Sequence, residues 1–145
     1  MIRRGAAKYV FLLVLAAFPV VTSVGCFLDD YWSSGRYKLW AIDDYRNMDL
    51  VFYIGDGAGI GLVGPTVFSI GADDRYVVVK QHPRQDYFSA PDRTVTNYFV
   101  VERTASSSPV VAQELVQGPL TEEEYEELEK ELSLPEFSKS FRRLE

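Results

Sequence analysis

The order of apolar and polar residues divides the chain into a leader, a series of strand-like segments and a helical tail. Tyr9 to Leu28 carries no charge. Beyond it, short apolar stretches alternate with polar breaks. Tyr37-Lys38-Leu39-Trp40-Ala41-Ile42, stopped by Asp43-Asp44, predicts a first strand. Leu50-Val51-Phe52-Tyr53-Ile54 is apolar on both faces and predicts a central one. Thr66-Val67-Phe68-Ser69-Ile70 and Arg75-Tyr76-Val77-Val78-Val79-Lys80, separated by Gly71-Ala72-Asp73-Asp74, predict an antiparallel hairpin. His82 to Thr96 sustains no period and reads as a long loop. Asn97 to Arg103 resumes as a strand, and Pro109-Val110-Val111-Ala112-Gln113 reads as a short edge strand, where proline is tolerated.

The clearest local signal follows a break at Gly118-Pro119-Leu120. Thr121 and Glu124 stand at capping-box spacing, and the glutamates of the first turn suit the positive helix end. Tyr125, Leu128 and Leu132 then recur at helical spacing, a stripe to lay on a sheet. Leu134-Pro135 ends this helix, and Phe137, Phe141 and Leu144 predict a second, shorter one. Strands followed by segregated helices make an α+β domain. The expected arrangement over residues 37–145 is one small antiparallel sheet of about five or six strands with one or two C-terminal helices packed on it. Residues 26–36 read as a tether.

The leader decides the address. Arg3, Arg4 and Lys8 precede the apolar run, which relaxes through Thr22-Ser23-Val24-Gly25 to the sole cysteine, Cys26. A basic region, an apolar region and small residues before a break make a secretory signal over residues 1–25. Ser23-Val24-Gly25-Cys26 resembles a lipobox, whose cysteine carries a diacylglycerol thioether and becomes the new amino terminus; Ser23 departs from the Leu usual there. Two other readings stay open. Ordinary cleavage would leave a lone thiol at the mature terminus. An uncleaved anchor is also long enough to span a bilayer, with the basic residues inside and the domain outside. The lipidated reading is preferred, and it and the uncleaved anchor both place the domain on a membrane, facing out of the cytoplasm. In a host with two membranes, Phe27 in place of Asp at the second mature position points to the outer one, by resemblance to the lipoprotein sorting rule.

Charge narrows the partners. Residues 1–25 contain three of the 15 basic residues, so the remainder has 12 against 21 acidic ones, and the formal net charge moves from −6 to −9. Such a domain repels phosphate, which argues against nucleic acid. With one cysteine, no internal disulfide and no cysteine-based zinc site can form.

Taken together, the leader, Arg75-Tyr76-Val77-Val78-Val79-Lys80-Gln81-His82-Pro83, Tyr98-Phe99-Val100-Val101-Glu102 and Gly118-Pro119-Leu120-Thr121 before a Glu-rich helix resemble small uncharacterised bacterial lipoproteins of the domain-of-unknown-function type. The resemblance implies a location and a fold and brings no chemistry with it. The residues themselves offer little more. Gly59-Ile60-Gly61-Leu62-Val63-Gly64 matches the dinucleotide fingerprint in letters, but Pro65 and a β-rich run follow where a helix is required, so a flexible or tightly turned connection is expected. His82 is the only histidine, which excludes a multi-histidine metal site. Asp43-Asp44 and Asp73-Asp74 suit strand-end turns.

The resulting expectation is a tethered, non-catalytic binding domain with Cys26 as lipid attachment site, no cofactor and no metal. An envelope protein is its expected partner, contacted through Arg84, Tyr87, Phe88 and Arg93 of the long loop. Two alternatives stand beside it: a small envelope hydrolase using loop carboxylates, and a protective protein that blocks a secreted toxin or enzyme.

Overall fold

The computed structural model describes residues 29–86 and 88–145, with the backbone alone at Asp29 and Asp30. Cys26, Tyr87 and the leader lie outside the described residues.

The fold is α+β, built on two antiparallel sheets. The first is a meander of β1 (Asp29–Ser34), β2 (Tyr37–Ala41), β3 (Met48–Gly55) and β4 (Ala58–Val63). The second contains β5 (Val67–Ala72), β6 (Tyr76–Gln81) and β7 (Asn97–Glu102). It is completed by β8 (Val116–Leu120) beside β7 and the short β9 (Lys139–Ser140) beside β5. Two helices, α1 (Pro109–Glu114) and α2 (Glu122–Leu132), flank β8 in sequence.

Strand alternation sorts the side chains into two cores. Tyr37, Leu39, Met48, Leu50 and Phe52 of the first sheet meet Val67, Ile70, Val77, Val79 and Val101 of the second in one buried cluster. The other face of the second sheet presents Tyr76, Val78, Tyr98 and Val100 to α2, whose Tyr125 is buried there with Leu128 and Leu132 beside it. The expected stripe therefore lies on a sheet, and the capping box is formed by Thr121 and Glu124. The layers run sheet, sheet, helix, and α1 closes an edge by seating Ala112 in the first core.

Several expected elements take another form. The apolar pairing surface is divided between two sheets of four and five strands because β2–β3 and β6–β7 each bury both faces. Residues 29–34 of the expected tether form β1, paired with β2 through a register shift between Asp30 and Trp32. The glycine-rich segment is strand β4: Gly59 leaves room for the Trp40 ring, which a Cβ there would meet at 2.9 Å. Val110-Val111 enters a helix because Ser108 caps it, accepting from Val111 N, and Pro109 occupies its first turn. Gly118-Pro119 does not break the chain but sits in edge strand β8, where a missing N–H costs no ladder bond.

The second C-terminal helix is replaced by an extended strap. Phe137 packs in the helix-side core, while Phe141 and Leu144 enter the core between the sheets. The segment crosses the edge of β5, with Ser138 N donating to Ile70 O at 2.9 Å and Phe141 N to Phe68 O at 2.8 Å. Gly71 permits the crossing, since a Cβ at that position would overlap the Glu136 carbonyl.

Candidate functional site

Strand directions gather the chemistry-bearing loops at one end. The start of β1, the end of β2, the start of β3 and the end of β4 share it, because Asp29 pairs with Ala41, Ala41 with Met48, and Leu50 with Val63. The start of β5, the end of β6 and the start of β7 join them, because Val67 pairs with Gln81 and Gln81 with Asn97. Residues 42–47, 64–66 and 82–96 thus form one loop cluster.

Arg84 ties the cluster together. Its Nε donates to Thr66 Oγ1 at 2.8 Å, Nη1 to Asn47 Oδ1 at 3.0 Å and Nη2 to the Arg46 carbonyl at 2.8 Å. Thr66 is fully buried and its hydroxyl also donates to Arg46 O at 3.1 Å. Beside it, Arg46 forks onto the Asp44 carboxylate, which holds Asp44 well below the usual carboxylate range, at about 2. A cavity of about 370 Å³ opens between this network and the loop, bounded by Asp44, Asn47, Arg84, Phe88 and Pro91.

His82 stands at the neck of the long loop. Its ring stacks on Phe68 with centroids 4.2 Å apart, and Nδ1 bonds the Val95 carbonyl at 2.8 Å. Stacking and this bond fix the ring, while Nε2 is buried without a hydrogen-bond partner. The loop closes on itself through Asp92 N donating to Pro83 O at 2.8 Å. At its tip, Asp86 Oδ1 accepts from Phe88 N and Ser89 N, both at 2.8 Å, and the Ser89 hydroxyl donates to Asp86 O at 2.9 Å. Arg93 donates to the carbonyls of Arg143 and Glu145, both at 2.9 Å, and so fastens the far limb to the C-terminal strap.

The four expected contact residues therefore have different fates. Arg84 and Arg93 are framework clamps, with their guanidinium donors spent on the protein's own acceptors. Phe88 is 94% exposed at the tip of a hydrogen-bonded turn. Tyr87 lies outside the described residues.

Asp49 was not singled out from sequence. It is the charged residue among the apolar positions of β3, and this signal could have marked it. Its Oδ1 is buried without a hydrogen-bond partner, and Gly64 packs so closely that a Cβ there would overlap the carboxylate. Burial raises its pKa to about 6, against the opposing pull of Arg84. Asp49 borders a separate opening of about 360 Å³ along Gly61–Pro65. Asp44, bound to Arg46, borders the other cavity, so the two carboxylates do not share a cleft.

The helix side offers a second polar-aromatic group. Tyr98 and Tyr125 stack at 4.9 Å, and burial with the hydrogen bond to Glu122 pushes the Tyr98 hydroxyl up to about 12. Lys80 Nζ lies over the rings of Phe137 and Tyr98, at 4.7 and 5.2 Å from their centroids. The chain's own cation lines this aromatic recess, and an opening of about 210 Å³ remains beside it against Glu122, Glu126 and Glu129. Among the described residues no three His, Cys, Asp or Glu side chains converge as a metal-binding group.

Residues 34–140 match the family described as "Protein of unknown function (DUF3997)". The chain belongs to this family. The match begins at the end of β1 and runs to the end of β9, so it takes in most of both cores and the whole loop cluster. No curated protein and no solved structure matches the chain. Membership in DUF3997 therefore supplies the domain's extent and no activity.

Proposed function

We propose that this DUF3997 chain is a membrane-tethered, extracytoplasmic binding domain with no catalytic step of its own, anchored through a lipidated Cys26. One juxtaposition carries the reading: the lipobox-like Ser23-Val24-Gly25-Cys26 ends three residues before Asp29, the first residue of β1. The signal thus ends just ahead of residues already paired in the first sheet, as a signal removed before Cys26 requires. The loop cluster supports binding over catalysis because most of its polar groups are engaged with one another, Asp49 Oδ1 and His82 Nε2 being the buried exceptions. Arg84 is spent on Thr66, Asn47 and Arg46, Asp44 on Arg46, and His82 on Val95 and Phe68. A hydrolase of the two-carboxylate kind needs both acids across one substrate, and Asp44 and Asp49 border different openings. What the end of the domain does present is a hydrogen-bonded loop carrying an exposed aromatic, the arrangement of a contact surface.

Metabolic labelling with a fatty-acid analogue tests the anchor. Wild type should be labelled and Cys26→Ser should not. Equal labelling of the two would overturn the lipidated reading.

A further inference from the structure

We infer that the loop cluster rests on the bilayer that holds the tether, and that Phe88, with Ile42 and Val95, enters the lipid interface. The inference rests on the tethered reading above and names the partner of that surface: lipid.

Chain length sets the constraint. From Cys26 to Asp29 there are three residue steps, which reach at most about 11 Å when fully extended. The first strand enters the fold at the loop-cluster end, since Asp29 pairs with Ala41 beside Ile42. That end is therefore held against the membrane surface, while the opposite end, at Gly35, Asp56 and Asp74, is a full strand length further away. An uncleaved leader would impose the same geometry, because its apolar run ends at Leu28.

The surface at that end has the matching chemistry. Among the described residues the exposed large apolar side chains are Ile42 (44%), Ile54 (43%), Phe88 (94%), Val95 (41%) and Val110 (59%). Three of these five, Ile42, Phe88 and Val95, belong to the loops of the tethered end. Phe88 is held there by the Asp86–Ser89 turn, and both limbs of its loop are clamped by Arg84 and Arg93. An ordered backbone that presents a phenyl ring to water gains nothing from solvent, whereas in an interface the ring leaves water without a further ordering cost. Arg46, exposed beside the cavity, can keep its charge at headgroup level while its stem lies along the apolar zone. The domain's acidic balance argues against attraction to anionic lipid, so apolar insertion is the driving term. The tether makes modest insertion sufficient, because a short linker holds the loop at high effective concentration against the surface.

The test uses the full chain, purified from a lipoprotein-processing host and reconstituted into phosphatidylcholine vesicles with brominated acyl chains. Phe88→Trp adds a reporter at the loop tip, and Ile54→Trp adds one at the far end with comparable tolerance, since both sites are exposed. Flotation of the vesicles on a density gradient is read first. The expected result is co-flotation of both variants, with the added fluorescence of Phe88→Trp quenched several-fold more than that of Ile54→Trp. Co-flotation with equal quenching would overturn the docking inference and leave the tether standing; the loop tip would then face away from lipid, as a protein-binding loop would. Failure of wild type to float would remove the tether and the docking with it.

Discussion

Asp49→Asn isolates the one acid that the fold holds against its own preference. The native carboxylate sits beneath Gly64 with Oδ1 unpartnered, and its pKa is raised from 3.8 to about 6, chiefly by burial. The folded protein therefore keeps this proton to higher pH than the unfolded chain does. Between pH 3.8 and about 6 the native state binds more protons, so the stability associated with this group is fully present below pH 3.8 and falls as pH rises through about 6. A shift of this size corresponds to about 3 kcal/mol at about 1.4 kcal/mol per unit. Part of the side chain remains in solvent, and screening reduces the expected effect to about 1–2 kcal/mol. Asparagine keeps the shape against Gly64 and removes the charge. Urea unfolding of the chain from Phe27 onward, followed by tryptophan fluorescence, should give coincident curves for wild type and Asp49→Asn near about pH 3.5, where the carboxyl is protonated in both states. Near about pH 8 the variant should be more stable by about 1–2 kcal/mol. A gap of the same size at both pH values would refute the reasoning. So would a variant less stable at the higher pH, which would show that attraction to Arg84 outweighs burial.

Two further substitutions probe the scaffold. Leu128→Ala removes part of the stripe between α2 and the second sheet; Leu128 is only partly buried, so the expected loss is about 1–2 kcal/mol, below the range for enclosed leucines, whereas exposed Glu127→Gln should stay within about 0.5 kcal/mol. Equal thermal melts for wild type and Leu128→Ala would mean that the helix is not docked. Gly71→Ala sets a methyl against the Glu136 carbonyl, a backbone atom that cannot rotate aside, so about 1–3 kcal/mol should be lost and protease sensitivity should rise between β9 and the C-terminus; a melt within error of wild type would show that the strap can shift outward freely.

The elements legible in the sequence were those whose neighbours in space are also neighbours in sequence. The hairpin of β5 and β6 joins two β-rich runs across a short turn, and α2 carries its cap and its stripe within Thr121–Leu132. The elements misread were decided by partners far along the chain. Phe137, Phe141 and Leu144 fall at helical intervals, yet one faces the helix-side core and two face the core between the sheets, because the strap passes around an edge that the sequence does not display. Val110-Val111 has strand character, but Ser108 and Pro109 set a helix start, and Ala112 then fills the gap between the sheets. Gly59 and Gly61 read as a connection because glycine weakens a strand; here the Trp40 ring packs against Gly59 and supplies what its missing side chain would. The candidate site shows the same division. Phe88 could be picked out by its composition, as an aromatic in a polar loop. Thr66 and Asn47 could not, because each acquires its role only when residues 42–47, 64–66 and 84 come together at one end; Asp49 was marked only as a charge in an apolar strand.

That convergence bears on why the loop is built as it is. A loop that selects a protein partner presents charged groups to be paired across the interface, and Arg84 and Arg93 looked suited to that from their sequence neighbours. In the structure both bond the protein's own acceptors, Arg84 within the loop cluster and Arg93 across the surface to the strap, and their hydrogen bonds fix the limbs from which Phe88 projects. The polar residues of the loop thus rigidify it, and the apolar residue is left to meet whatever lies beyond. Under the proposed lipid anchor, whose tether reaches about 11 Å, the nearest such body would be the membrane. Exchange of Phe88 for Asp separates presentation from architecture: the fold should melt within about 0.5 kcal/mol of wild type, since the ring is 94% exposed, while the loop tip should become more accessible to protease in reconstituted vesicles than it is in wild type. If protection at the tip were unchanged by the substitution, Phe88 would not be the group that holds the loop against the surface.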